Sequence, residues 1–166
     1  MESVLIVGAG FMGSGIAQVC AQAGYPTHLT DVDSKALERA MDDIQWSLGK
    51  LSKKGLLKDS AESILKRILF EQGLGSADKV DWIIEAALER ADLKQEIFWD
   101  LDRLARPETI LATNTSSIPL RLIAQAVHHQ ERVLGLHFFG PVPLMNLVEV
   151  VKAEKTLPEV IERSMT

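Results

Sequence analysis

Val4-Leu5-Ile6-Val7-Gly8-Ala9-Gly10-Phe11-Met12-Gly13 carries four apolar residues, three of them β-branched, straight into glycines spaced G-x-G-x-x-G. A run so short and so β-branched reads as a buried strand. The small residues from Gly13 to Ala23 then read as a helix closed by Gly24. Strand, glycine turn and helix in that order give the turn a specific task. Gly8 permits the tight turn, Gly10 lets the backbone approach a pyrophosphate, and Gly13 lets helix and strand pack closely. The helix N-terminus offers unpaired N–H groups and a positive dipole end to the phosphates. Thr27–Thr30 reads as the next strand, ending at Asp31, 18 residues beyond Gly13. A carboxylate there accepts both hydroxyls of an adenosine ribose and repels a 2′-phosphate, so NAD is favoured over NADP.

Strand-like and helix-like segments keep alternating downstream. A long helix is expected from Ser34, with that serine as its N-cap, to about Lys54, and another over Ala61–Leu69. Trp82–Ala87, Thr109–Thr113, Arg132–Phe139 and Leu147–Lys152 read as strands, and Asp92–Ala105 and Leu120–Val127 as helices. Thr156-Leu157-Pro158-Glu159 has the form of a capping box, opening a last helix at Leu157. This alternation is the signature of an α/β, Rossmann-type, doubly wound and mostly parallel sheet. The 166 residues suit one domain with its own core. The last helix runs to Thr166 without a C-terminal glycine, so residues 1–166 are expected to be one domain of something longer. Val160 and Ile161 are then expected to face outward.

Lys+Arg 18 against Asp+Glu 23 leaves a net charge of -5, which argues against general nucleic-acid binding. Cys20 is the only cysteine, so a disulfide-stapled secreted module is excluded and a reducing compartment, the cytoplasm, is expected. A mature organellar chain is the alternative. The apolar runs are too short to cross a bilayer, no secretory signal is read, and no metal ligand set is assigned.

Two further segments carry chemistry. Asn114-Thr115-Ser116-Ser117 follows a strand and so lies at the carboxyl edge of the sheet, where ligands of open α/β sheets bind. Taken alone, Ser117 before Pro119 reads better as a helix cap. In Leu134-Gly135-Leu136-His137-Phe138-Phe139-Gly140-Pro141-Val142-Pro143-Leu144-Met145-Asn146-Leu147-Val148-Glu149-Val150-Val151, His137 interrupts one apolar strand and Glu149 the next. A reversal centred on Pro143 places both six residues from its apex, facing across an antiparallel pair with Cβ atoms roughly 5 Å apart. A carboxylate beside an imidazole fixes its tautomer and raises its basicity, which makes His137 a general-base candidate. The plainer alternative is a pair that only ties the hairpin together.

Together, GAGFMGSGIAQ, IIEAALE, ATNTSS and HFFGPVPLMNLVEVV resemble the NAD-binding domain of the L-3-hydroxyacyl-CoA dehydrogenase family. The resemblance spans nearly the whole chain. It implies reversible NAD-dependent oxidation of an (S)-3-hydroxyacyl-CoA, with His137 as catalytic base, Glu149 as its partner and Ser116 between substrate and nicotinamide. Gly8, Gly10, Phe11, Met12, Gly13, Asp31, Glu89, Lys94, Asn114, Ser116 and Gly140 match the NAD site, although the family usually has asparagine where this chain has Gly140. Ser47 and Lys54 sit where the family touches coenzyme A. Independently, Lys50, Lys54 and Lys58 fall at i, i+4 and i+8, a basic helix face suited to phosphates. The resemblance also implies a helical C-terminal domain, absent here, that supplies homodimer contacts and one wall of the cleft. Two rival readings stand beside it: a non-catalytic, crystallin-like NAD-binding protein, and a relative acting on a sugar acid or other hydroxy acid.

Overall fold

The computed structural model describes residues 1–165. Seven strands form one sheet: β1 (Val4–Val7), β2 (Thr27–Thr30), β3 (Ile68–Glu71), β4 (Trp82–Glu85), β5 (Ile110–Thr113), β6 (Val133–Phe138) and β7 (Val148–Lys152). Their order is β3-β2-β1-β4-β5-β6-β7, parallel throughout except that β7 runs antiparallel to β6. The chain winds outward from β1 in one direction and from β4 in the other. The crevice at the carboxyl ends of these two strands is therefore the topological switch point, the natural ligand site of such sheets.

Strands buried on both faces explain the near-continuous apolar runs of the sequence. Val4 and Ile6 of β1 join one core with Ile16 and Ala17 of α1 (Phe11–Ala23), Ile44 and Leu48 of α2 (Ser34–Lys53) and Ile64 of α3 (Ala61–Leu65). Leu5 and Val7 join the opposite core with Phe98 and Leu101 of α4 (Ala91–Leu104) and Ile123 of α5 (Leu120–Ala124). The turn leaving β6 is anchored on α1: Val142 is buried against Gly15, where a Cβ would come within 2.9 Å of the Val142 Cβ. Glycine at 15 thus lets the β6–β7 hairpin rest on the helix that follows the glycine turn.

The structure corrects several local expectations. The helix expected over Ala61–Leu69 stops at Leu65, and Ile68–Glu71 is instead an edge strand paired in parallel with β2. Arg67 makes the break: its guanidinium donates to the Ala21 carbonyl at 2.9 Å and its own carbonyl accepts from Thr27 N–H. Pairing across the sheet overrode local helical preference. Asp33, not Ser34, caps α2 by accepting the Lys35 N–H at 2.9 Å. With the cap one residue earlier, Ser34 becomes the first residue of the helix. The Thr156 capping box does not form, because the Thr156 hydroxyl accepts from Ala153 N–H and donates to the Val133 carbonyl. The last helix, α6 (Pro158–Ser164), starts on proline with Leu157 as an N-cap that makes no side-chain bond. Val160 is buried in the first core and Ile161 packs partly against it, so the outward apolar residues near this helix are Leu157 and Met165.

Candidate active site

The glycine turn sits at the switch point, and its backbone explains the spacing. Gly8 has φ +106°, and a Cβ there would also lie 2.7 Å from the Ala86 carbonyl oxygen. A Cβ on Gly13 would fall 1.7 Å from the Gly8 carbonyl oxygen, so α1 can seat against the turn only on glycine. Gly10 is different, since nothing lies within 4 Å of the space its Cβ would fill. That open backbone precedes a 13-residue helix whose N-cap, Gly10, makes no side-chain cap, leaving its first N–H groups for a ligand. Asp31 is tied to the same turn: one carboxylate oxygen accepts Ala9 N–H at 2.8 Å and the other Asp33 N–H at 3.0 Å. Each oxygen keeps a lone pair for a ribose hydroxyl. This cradle fits a dinucleotide.

Beside it a cleft of about 380 Å³ is lined by Met12, Glu89, Lys94, Asn114, Ser116, His137 and Gly140, among others. A second cleft of about 300 Å³ shares Ser116 and His137 and is also lined by Glu149, by Thr115 and Ser117, and by apolar groups including Ile118, Leu120 and Val151. Ser116 and His137 are thus common to both. His137 and Glu149 are directly opposite in the antiparallel ladder, as the centre at Pro143 predicts. The imidazole Nδ1 lies 2.8 Å from a Glu149 carboxylate oxygen, and the ring stacks obliquely on Phe139 with centroids 4.5 Å apart. Asn114 fixes the strand carrying the histidine: its side-chain oxygen accepts the Phe138 N–H at 2.8 Å.

The Ser116 turn is held by a polar network that motif reading did not resolve. Glu89 accepts hydrogen bonds from the hydroxyls of Thr115 and Ser117, the latter at 3.1 Å, and lies 3.4 Å from the Lys94 ammonium. Burial pushes the Glu89 carboxyl up, but Thr115, Lys94 and Ser117 outweigh it and hold the group below the usual carboxylate range. Ser117 therefore does not cap a helix; α5 begins at Leu120 and Pro119 supplies no side-chain bond. Lys94 itself is buried and bonds Glu85, which is buried too. Glu85 was visible only as a charge ending an apolar strand, and that misplacement was its signal.

Ser47 and Lys54 line neither cleft; Ser47 lies on α2 and Lys54 is its exposed C-cap residue. Because α2 ends at Lys53, Lys58 falls in the following loop and the three-lysine helix face does not form. At Gly140 a Cβ would lie 2.8 Å from the Phe11 ring, so the ring of the glycine turn packs where a larger residue would need it to move. Cys20 takes no part: burial pushes its thiol up to about 12. Among the described residues no cluster of three His, Cys, Asp or Glu side chains is arranged for a metal ion, and no helix is long and apolar enough to cross a membrane.

A doubly wound sheet with this glycine turn at its switch point has the architecture of a dinucleotide-binding domain. Residues 3–166 match the family described as 3-hydroxyacyl-CoA dehydrogenase, NAD binding domain, and the chain belongs to that family. It is 43% identical over 154 residues to a probable 3-hydroxybutyryl-CoA dehydrogenase of Deinococcus radiodurans, covering 93% of this chain and 55% of the relative. It is 41% identical over 164 residues to a 3-hydroxyadipyl-CoA dehydrogenase of Escherichia coli, covering 98% and 34%. The crystal structure of 3-hydroxybutyryl-CoA dehydrogenase from Escherichia coli K12 superposes with a TM-score of 0.94 at 41% identity, covering 98% of this chain and 34% of that one. The chain thus spans about half, or less, of the length of these relatives.

Proposed function

We propose that this chain is the cofactor-binding and proton-transferring part of an NAD-dependent dehydrogenase that oxidises (S)-3-hydroxyacyl-CoA to 3-oxoacyl-CoA. The observation that carries the reading is the His137–Glu149 pair, 2.8 Å apart, with His137 lining the cleft that adjoins the dinucleotide cradle at Met12. The cradle residues are Gly8, Gly10, Phe11, Met12, Gly13 and Asp31, with Glu89, Lys94, Asn114, Ser116 and Gly140 continuing the site. NAD, when bound, supplies the hydride acceptor. His137 takes the proton of the substrate hydroxyl, and Glu149 stabilises the imidazolium that results. Ser116 donates a hydrogen bond to the substrate oxygen and holds the reacting carbon in place. In the reductive direction His137 returns the proton as the acid. Coenzyme A contacts are proposed at Ser47 and Lys54, testable by protection of α2 from proteolysis in the presence of coenzyme A.

We place a further helical domain against β7, completing the cleft and the homodimer. Leu144, Leu147, Val148 and Val151, all exposed along the β7 side, support this. A cytoplasmic location is proposed on the single free cysteine. The decisive experiment measures acetoacetyl-CoA-dependent NADH consumption by this chain and by the full protein. Slow turnover by the chain and fast turnover by the full protein are expected. No turnover by the full protein would leave a non-catalytic NAD-binding role.

Cofactor choice is separately testable by fluorescence titration. Asp31 places a carboxylate where NADPH carries a phosphate, so NADH should bind tighter by about tenfold or more. Equal or tighter NADPH binding would sink the assignment of Asp31.

A further inference from the structure

Glu85 is the last residue of β4 and fully buried, and its partner Lys94 is 1% exposed, at the wall of the larger cleft. A charge pair taken wholly out of water is retained only where its geometry is excellent and its remaining lone pairs are used. Here they are. One Glu85 oxygen accepts from the Lys94 ammonium at 2.5 Å and from Ala87 N–H at 2.7 Å, and the other accepts the Thr113 hydroxyl at 2.7 Å. The Glu85 carbonyl adds a bond from Asn114 N–H at 2.8 Å. One residue therefore ties together α4, the turn leaving β4 and the end of β5 from which Asn114 and Ser116 project. Lys94 lines the larger cleft, and its other contacts are looser: the Ala87 carbonyl at 3.3 Å and Glu89 at 3.4 Å.

We propose that Glu85 is a positioning residue, which by its short contact fixes the Lys94 ammonium at the cleft wall and leaves its looser protons for ligand oxygens. The inference rests on the reading that this cleft takes NAD. Glu89 is the exchangeable partner: half-exposed and already bonded to Thr115 and Ser117, it can release Lys94 to a ligand hydroxyl without leaving its own charge unsatisfied. Glu85 cannot be exchanged, because no water reaches it.

The test is a double-mutant cycle on the chain itself, read by NADH fluorescence titration with thermal melting alongside. E85Q keeps the volume and loses the charge, and K94M removes the ammonium. Each is expected to weaken NADH by roughly tenfold, the loss of one charged hydrogen bond. Because Glu85 acts through Lys94, the E85Q/K94M double variant should bind NADH within about twofold of K94M alone. It should also melt above K94M, since no unpaired charge stays buried. A merely structural brace predicts losses that multiply, or an E85Q protein with unchanged affinity, and either result overturns the proposal. If E85Q does not fold, K94M against the double variant decides, with equal affinity supporting the role and a further loss overturning it. A wild-type chain that fails to bind NADH would overturn the cofactor reading instead.

Discussion

Exchanging His137 for glutamine in the full protein should lower kcat for 3-hydroxyacyl-CoA oxidation by about three orders of magnitude, with NADH affinity within about twofold. Glutamine has similar bulk and cannot accept and hold the proton. Only the proton-transfer step should suffer, because the cradle at Gly8 to Gly13 is built from other elements. Glu149→Gln should cost about two orders of magnitude. The smaller effect reflects geometry: the Glu149 side chain is 54% exposed against 23% for His137, so water partly replaces its stabilisation of the imidazolium. Neither change should disturb melting much, since β6 and β7 are held by their backbone ladder. Near-normal turnover by Glu149→Gln would mean the pair only braces the hairpin. Normal turnover by His137→Gln would remove the general base from the mechanism.

The residues legible in the sequence were those whose task is set by backbone geometry or by strict spacing. The glycine turn could be read because its steric demands are local, and the structure shows them as a positive φ at Gly8 and a contact at Gly13 that admits no side chain. The His137–Glu149 pairing follows from their equal spacing about a reversal at Pro143, and the register places the two opposite each other. What stayed hidden depended on partners distant in sequence. β3 is a strand only because β2 lies beside it, and nothing in Ile68–Glu71 alone separates it from the end of the preceding helix. Thr115 and Ser117 read locally as turn residues, Ser117 as a cap, whereas Glu89, 26 and 28 residues earlier, gathers both hydroxyls. The same holds for Thr156, whose hydroxyl donates to the carbonyl of Val133, 23 residues earlier. The resemblance to the family supplied roles for Glu89 and Lys94, while the structure supplied the pairing with Glu85 that holds Lys94.

The glycine turn offers a second large effect, and two of its members should fail in opposite ways. Gly13→Ala puts a methyl 1.7 Å from the Gly8 carbonyl oxygen and 2.9 Å from its carbon, both backbone atoms of the turn between β1 and α1. The helix must move off the turn, so the domain should lose about 3 kcal/mol or more of stability, and NADH binding with it. Gly10→Ala meets nothing within 4 Å, and its φ of -75° with ψ of -169° is open to alanine. Stability should therefore change by no more than about 1 kcal/mol, the scale of an altered N-cap. Affinity is another matter, because the new methyl occupies the space through which a pyrophosphate approaches the helix N-terminus. NADH should bind about a hundredfold more weakly to a protein that melts like wild type. Denaturant melts and fluorescence titration on both variants separate the two effects. A Gly10→Ala protein with wild-type affinity would place the pyrophosphate elsewhere, and a Gly13→Ala protein with wild-type stability would mean that α1 is not seated on the turn.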